Sequence, residues 1–342
     1  MKHLIKTLLI LTPLALSLAC YEGPYTIFEN ITNDDPISDN ELDNKLDITQ
    51  MTATTNYYYI ACGKLRRRLK TGTSWETISV SGFVNTVAAK DTDVYVGAIQ
   101  SDATGRLYRY SEGSGLSEIS LTDINQILRL KNIAGSIIAS VRYTGGSYGL
   151  YNVSTSNTLI NEVSEPITDF TANNYFTTIS HIYNIYNSTK QAINPTSSTY
   201  SYVCIYYDST EQRYYVGTKN GVVLKSTTET PSSSNWTACS TKTYTKNGKT
   251  QAVVFAYFES LDDDTLVVAT RGAGFFTLVK NSFPDNLTRF DDTTKRELYE
   301  AAIEFIYNNG ETTPLIFFCT MNAGLWHNSW QSSSWGKTWT RD

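Results

Sequence analysis

The stretch Arg213–Ser226 reads RYYVGTKNGVVLKS: an aromatic and β-branched run, a polar turn, a glycine, and a second apolar run ending in Lys-Ser. Two such runs joined by a short glycine-containing turn form a β-hairpin. The same order recurs as DVYVGAIQSDATGRLYRYS from Asp93, SIIASVRYTGGSYGLYNVS from Ser136, TLVVATRGAGFFTLVKNS from Thr265 and PLIFFCTMNAGLWHNS from Pro314. A worn copy, YYYIACGKLRRRL, starts at Tyr57. The glycine that opens the second strand marks each copy, at Gly63, Gly105, Gly149, Gly221, Gly274 and Gly324, with spacings of 42, 44, 72, 53 and 50 residues. The gap of 72 has room for two units, so seven are expected.

A period of about 40 to 50 residues in an all-strand sequence is the mark of a β-propeller, one four-stranded blade repeated around an axis. The expectation is therefore an all-β, seven-bladed β-propeller with four-stranded antiparallel blades, strands A to D running from the axis outward. Blade one takes Ile48–Thr52, Tyr57–Cys62, Lys64–Lys70 and Trp75–Ser79 as its strands. The others span Val84–Leu121, Ile127–Val163, Ile167–Pro195, Tyr202–Ser240, Ala252–Phe290 and Ala301–Asp342. Blade four, around YFTTISHIYNIYN, lacks the marker glycine and rests on spacing. Ile48 supplies an inner strand and Trp339 an outer one, so closure is expected from packing of blade one on blade seven, with no exchanged strand. Asp291–Glu304 has a cap followed by charged and apolar residues, which predicts one or two helical turns.

Of 342 residues, 24 are Tyr and 13 are Phe while 18 % are charged, a composition that favours strands. The net charge of −5 argues against a nucleic-acid partner, which needs clustered Lys and Arg to neutralise phosphates. Residues 1–19 read as a targeting segment: Lys2, His3 and Lys6, an apolar stretch from Leu8 to Leu18, then Ser17-Leu18-Ala19-Cys20. Residues 20–47, with Asp34, Asp35, Asp39, Glu41, Asp43 and Asp47 among Asn, Ser and Pro36, are too acidic and too poor in apolar groups to fold, and read as a tether. The propeller is expected over 48–342.

The N-terminal pattern resembles a bacterial lipoprotein signal, with Ser17 where the commonest box has Leu; looser boxes of this kind are similar to those of spirochaetes. The resemblance implies cleavage before Cys20, a diacylglycerol on its thiol, and a palmitate-bearing protein attached to a membrane of the cell envelope through its N-terminus. An ordinary secretory signal and an uncleaved anchor are the alternatives.

Four further cysteines, Cys62, Cys204, Cys239 and Cys319, form no C-x-x-C pair, and only His181 and His327 remain after the signal. No metal site is expected, and the cysteines read as buried free thiols. With no P-loop, dinucleotide fingerprint, G-x-S-x-G or H-E-x-x-H, no cofactor is expected either.

Ser332-Ser-Ser-Trp-Gly-Lys-Thr-Trp339 resembles the Asp-box, S-x-D-x-G-x-T-W, of sialidase-like repeat propellers, with Ser334 in the aspartate position. Trp75 and Trp236 begin comparable outer strands. In that family the box is a turn between the third and fourth strands whose Trp packs between blades. It is architectural and carries no activity of its own.

In a propeller the B-to-C and D-to-A loops open on one face. The residues before each marker glycine place Asp102, Arg142, Tyr143, Lys219, Asn220, Arg271 and Asn322 around one mouth. Long polar side chains on loops above a channel make a binding surface, although turns are also polar simply because they are exposed. The favoured reading is a non-enzymatic binding or scaffold protein of the cell envelope with a protein or glycan partner. The alternative is a sialidase-like carbohydrate-active enzyme using Arg142 and Arg271; the Arg-Ile-Pro motif of that family is missing. Asp262-Asp263-Asp264 falls in an A-to-B turn on the opposite face.

Overall fold

The computed structural model describes residues 42–43, 45–172, 175–186, 189–196, 199–291, 295–331 and 333–342. The expected signal, Cys20, most of the tether and Ser332 lie outside these residues. Blade one is β1 (Gln50–Ala53), β2 (Tyr57–Ala61), β3 (Leu65–Leu69) and β4 (Glu76–Ile78). Blade two is β5 (Phe83–Lys90), β6 (Asp93–Ile99), β7 (Gly105–Ser111) and β8 (Gly115–Ile119). Blade three is β9 (Ile124–Ile133), β10 (Ser136–Tyr143), β11 (Tyr148–Asn152) and β12 (Asn157–Val163). Blade four, read without a marker, is β13 (Ile167–Phe170), β14 (Tyr175–Thr178), β15 (Ile182–Tyr186) and β16 (Thr189–Ala192). Blade five is β17 (Tyr202–Asp208), β18 (Arg213–Thr218), β19 (Val223–Ser226) and β20 (Trp236–Ala238). A hairpin, β21 (Thr243–Lys246) and β22 (Lys249–Ala252), precedes blade six, β23 (Phe255–Ser260), β24 (Thr265–Thr270), β25 (Phe275–Val279) and β26 (Leu287–Arg289). Blade seven is β27 (Ala302–Asn308), β28 (Leu315–Met321) and β29 (Leu325–Gln331), with β30 (Ser334–Trp335) and β31 (Thr340–Arg341) both pairing to β29. Each blade is an antiparallel meander, so the protein is the expected seven-bladed propeller.

The expected helix is a single turn, Arg296–Tyr299, between blades six and seven. The hairpin β21–β22 corrects the sequence reading, which passed over it and began blade six at Ala252. Its turn is Asn247-Gly248, with φ of 51° and 73°, the pair of positive φ angles that a two-residue type I′ turn demands.

The marker glycines have a physical cause. Gly63, Gly221, Gly274 and Gly324 sit at φ between 67° and 77°, a left-handed turn that side chains resist. Gly149 is held by crowding instead: a Cβ there would lie 1.8 Å from the Ile160 carbonyl oxygen.

The apolar core is a ring of clusters between blades. Tyr59, Ala61, Val87 and Val96 join blades one and two; Ile127, Val141 and Leu107 join two and three; Phe275, Phe318, Trp326 and Trp339 join six and seven. Trp339 packs on Phe290 and Trp335, with Gly336 in the turn bonded to Ser329 and Asn328, so the Asp-box-like segment is a turn between the third strand and β31. Cys62, Cys204, Cys239 and Cys319 are buried free thiols.

The ring closes as expected, without an exchanged strand. Ile48, Met51, Tyr58 and Trp75 of blade one share a cluster with Phe305, Phe317, Cys319 and Leu325 of blade seven. The Ile48 N–H donates to the Thr320 carbonyl (2.9 Å), and Arg68 Nη1 meets the Asp342 carboxylate at 2.7 Å. Leu42 and Leu46, assigned to the tether from composition, pack into this same cluster, so ordered packing begins before residue 48.

Candidate functional site

Six inner strands carry a β-bulge at the same level. In blade two, Val84 pairs with Ala98 and Thr86 with Gly97, leaving Asn85 as the extra residue. The register shifts likewise at Leu128 in blade three, Thr168 in four, Val203 in five, Ala256 in six and Glu304 in seven. A bulge sets two residues against one and re-aims the extra side chain. In blade one, Thr49 enters β1 at the matching place, its N–H and hydroxyl both on the Ala61 carbonyl. These seven residues, one from each blade, line a single axial cavity of about 330 Å³ together with Gln50, Arg129, Ser140, Ile167, Arg271 and Met321.

The wall is held by side chains that bridge blades. Thr86 Oγ1 donates to Gln50 Oε1 (2.6 Å) and accepts the Leu130 N–H (2.7 Å), while Gln50 Nε2 donates to the Leu130 carbonyl (2.7 Å), tying blades one, two and three. The buried Asp169 carboxylate accepts Arg129 Nη1 (3.0 Å), Lys131 Nζ (2.7 Å) and the Ile205 N–H (3.1 Å), tying blades three, four and five. Burial pushes the Lys131 ammonium below its ordinary range, against the pull of Asp169. For Arg129 burial acts the same way, but the Asp169 charge prevails and holds the guanidinium above its ordinary value. Deeper along β23, burial raises the Glu259 carboxyl to about 7 and the Tyr257 hydroxyl well above its usual value.

The rim comes from the B-to-C loops, and in three blades a threonine sets their shape. Thr218 Oγ1 donates to the Val222 carbonyl (2.8 Å), Thr270 Oγ1 to Gly274 (2.7 Å) and Thr320 Oγ1 to Gly324 (2.6 Å). Each clasp presents the residues enclosed by it. Lys219 and Asn220 are exposed there, Asn220 Oδ1 accepting the Ser201 N–H at 2.7 Å. Arg271 reaches the cavity and is held by Glu304 through Nε–Oε1 at 2.8 Å and Nη2–Oε2 at 3.0 Å. Asn322 is exposed, and its N–H donates to Asp47 Oδ1 (2.6 Å); burial raises the Asp47 carboxyl despite that bond.

The other three anticipated residues stand apart from the cavity. Asp102 is exposed and caps its own loop, accepting the hydroxyl and N–H of Thr104, which hold its carboxyl below the usual range. Arg142 lies over the Tyr148 ring at 6.0 Å within its own blade. Tyr143 is buried and donates to the Ile160 carbonyl (3.3 Å), so its ring is core and not loop surface. Of the seven residues only Arg271 lines the axial cavity, and Arg142 does not join it there.

Sequence reasoning missed Asn85, Arg129, Ser140 and Glu304, because it looked only at loops. The recurring threonine four residues before the end of each clasp, Thr218, Thr270 and Thr320, was a readable signal. On the opposite face Asp262 accepts Trp330 Nε1 (2.7 Å) and Asp264 accepts Asn281 Nδ2 (3.1 Å), which makes the triple aspartate a bonded turn.

The fold and its lined axis define a seven-bladed β-propeller. No family model matches the chain, and no curated protein matches its sequence. Among solved structures it is similar to YCF48 bound to D1 peptide, with a TM-score of 0.63 and 11 % identity, covering 88 % of this chain and 98 % of that one. It is similar to the WD40 β-propeller domain of Doa1 at a TM-score of 0.59 and 11 % identity, covering 86 % and 97 %. The extracellular domain of a hybrid two-component system from B. thetaiotaomicron matches at a TM-score of 0.57 and 14 % identity, over 86 % of this chain and 42 % of that one. At these identities the shared property is the fold.

Proposed function

We propose that this chain is a non-enzymatic binding protein that docks a protein partner on the face formed by its B-to-C loops, and that a diacylglycerol on Cys20 holds it at a membrane of the bacterial cell envelope. The observation that carries the docking reading is the ring of seven side chains, one per blade and six of them re-aimed by a bulge, under a rim of clasped polar loops. The acids at this mouth are already engaged, Glu304 by Arg271 and Asp169 by Arg129 and Lys131. Groups so engaged suit recognition better than proton transfer, which needs an acid or base within reach of a substrate atom. YCF48, a propeller of the same fold, is solved with a peptide bound, which supports a protein partner over a glycan. The anchor rests on the pattern at Ser17-Leu18-Ala19-Cys20. Affinity capture from envelope extracts tests the docking reading: a protein should be retained by the wild-type domain and lost when Lys219, Arg271 and Asn322 are all replaced by Ala. Equal retention by both, or turnover of a glycan by the wild type, overturns it.

A further inference from the structure

The axial cavity holds two polar atoms that no described residue satisfies. Ser140 is 1 % exposed, and its hydroxyl has no hydrogen-bond partner. Asn85 uses its Nδ2 on the carbonyls of Ile127 (3.1 Å) and Leu128 (3.3 Å), yet its buried Oδ1 has no partner. Elsewhere in this ring the buried hydroxyls of Thr86, Thr218, Thr270 and Thr320 are all bonded, so Ser140 departs from the pattern. A buried polar group without a partner loses its hydration and gains nothing in return. Both residues line one cavity, so a guest there is the nearest group that could satisfy them.

The charges say which guest. Arg271 is matched by Glu304 in a two-pronged pair, while Arg129 and Lys131 together face the single carboxylate of Asp169. Among these five side chains cations outnumber carboxylates three to two, and Arg129 is the cation of that pair that lines the cavity. Leu128, Ile167, Val203, Ala256 and Met321 supply an apolar wall for a methylene stem. The hairpin β21–β22, whose base bonds the B-to-C loop of blade five through Lys242 N–H to the Gly221 carbonyl (2.7 Å), adds exposed Lys246 and Lys249 beside this face.

We infer that the mouth takes the carboxylate of an acidic side chain from the protein partner, on the Arg129 guanidinium and the Ser140 hydroxyl, with an N–H of the same segment on Asn85 Oδ1. This deepens the docking reading and rests on it. A guanidinium that shares its one carboxylate with a second cation, as Arg129 shares Asp169 with Lys131, binds a further carboxylate through charge-assisted hydrogen bonds, and the low dielectric of a walled site strengthens them. The surrounding lysines attract an acidic segment toward the face.

The test is a titration of the folded domain followed at the Arg129 Nε–Hε NMR signal, with N-acetyl-aspartate N-methylamide as the probe. The expected result is saturable binding with Kd on the order of millimolar, about ten-fold weaker for the asparagine analogue, as loss of one charged contact implies. Ser140→Ala should weaken the aspartyl probe about five-fold, a loss of roughly 1 kcal/mol; Ser140→Val, which also fills the site, should weaken it further. Equal binding of the asparagine analogue, or an unchanged affinity in both Ser140 variants with the remaining spectrum intact, overturns the inference. Tighter binding of acetyl-glycyl-glycine would move the carboxylate to a chain terminus, and tighter binding of glucuronate would move it to a glycan; either overturns the side-chain source. Partner capture that persists unchanged in Ser140→Ala sinks this inference and leaves the docking reading standing. Aspartyl binding with no protein captured by the face sinks the docking reading.

Discussion

Asn85 and Glu304 are each the extra residue of a β-bulge, in blades two and seven, and both line the same axial cavity. The equivalence fixes what Glu304 does there: it is the one acid in the ring of seven, and it neutralises Arg271. Glu304→Gln should therefore raise the affinity of the mouth for an acidic segment several-fold while changing stability by no more than about 1 kcal/mol, since the pair is partly exposed. Titration with the aspartyl probe and a thermal melt check the two halves. A weaker affinity would show that Glu304 contacts the guest directly.

Glu259 predicts a pH dependence. Burial lifts its carboxyl from 4.5 to about 7, only partly opposed by the Ser260 N–H and by Lys131, with the hydroxyls of Tyr206, Tyr257 and Tyr307 around it. Because the folded value lies above the unfolded one, the folded state holds the extra proton. The stability so gained is full below the unfolded value and is lost as pH rises through about 7. Glu259→Gln should match wild type at pH 4 and exceed it at pH 8 by about 2 kcal/mol, after discounting for partial exposure. Denaturant unfolding at the two pH values measures it, and parallel pH profiles of the two proteins would contradict it.

Closure of the ring should fail from the acid side. Burial raises the Asp342 carboxyl, but hydrogen bonds and charge from His327 and Arg68 outweigh it and hold the group below its ordinary value. A depressed value means stability that is present above the unfolded value and lost as pH falls through the folded one. Asp342→Asn should cost about 3 kcal/mol at neutral pH by leaving the nearly buried Arg68 without its carboxylate, and should flatten the acid limb of the stability curve. Unfolding followed by Trp fluorescence reads both; an unaltered acid limb would count against the pair as the closing contact.

If Cys20 carries the lipid, Cys20→Ala should abolish palmitate labelling and move the protein from the detergent phase to the aqueous phase, because one thioether-linked diacylglycerol supplies the membrane affinity. Labelling that persists in the variant would refute the anchor.

The repeat was legible because its punctuation is chemical: Gly63, Gly221, Gly274 and Gly324 occupy left-handed turns that other residues resist. Blade four was found by its alternation and by spacing, and its B-to-C turn uses no glycine, closing instead through the Thr178 N–H on the His181 carbonyl. The hairpin at Asn247-Gly248 was equally legible from its turn, but a count of blades has no place for an eighth pair of strands. Rim residues such as Lys219, Arg271 and Asn322 were readable since loops are polar and precede the glycine. Asn85, Leu128, Thr168 and Glu304 were not, because alternation along a strand assigns faces by counting twos, and each bulge resets the count by one. Tyr143 shows the converse: a residue at a strand end next to a loop sequence can still point into the core.

The central claim, that the B-to-C loop face docks a protein, is tested most directly by photo-crosslinking in the native envelope from two positions. One carries a photoreactive residue in place of Asn322, exposed at the rim; the other in place of Asp264, exposed in the A-to-B turn of the opposite face. The account predicts a discrete protein adduct from position 322, suppressed by Arg271→Ala, and none from position 264. Adducts only from position 264, or none from 322 in cells where the protein is abundant, would contradict it.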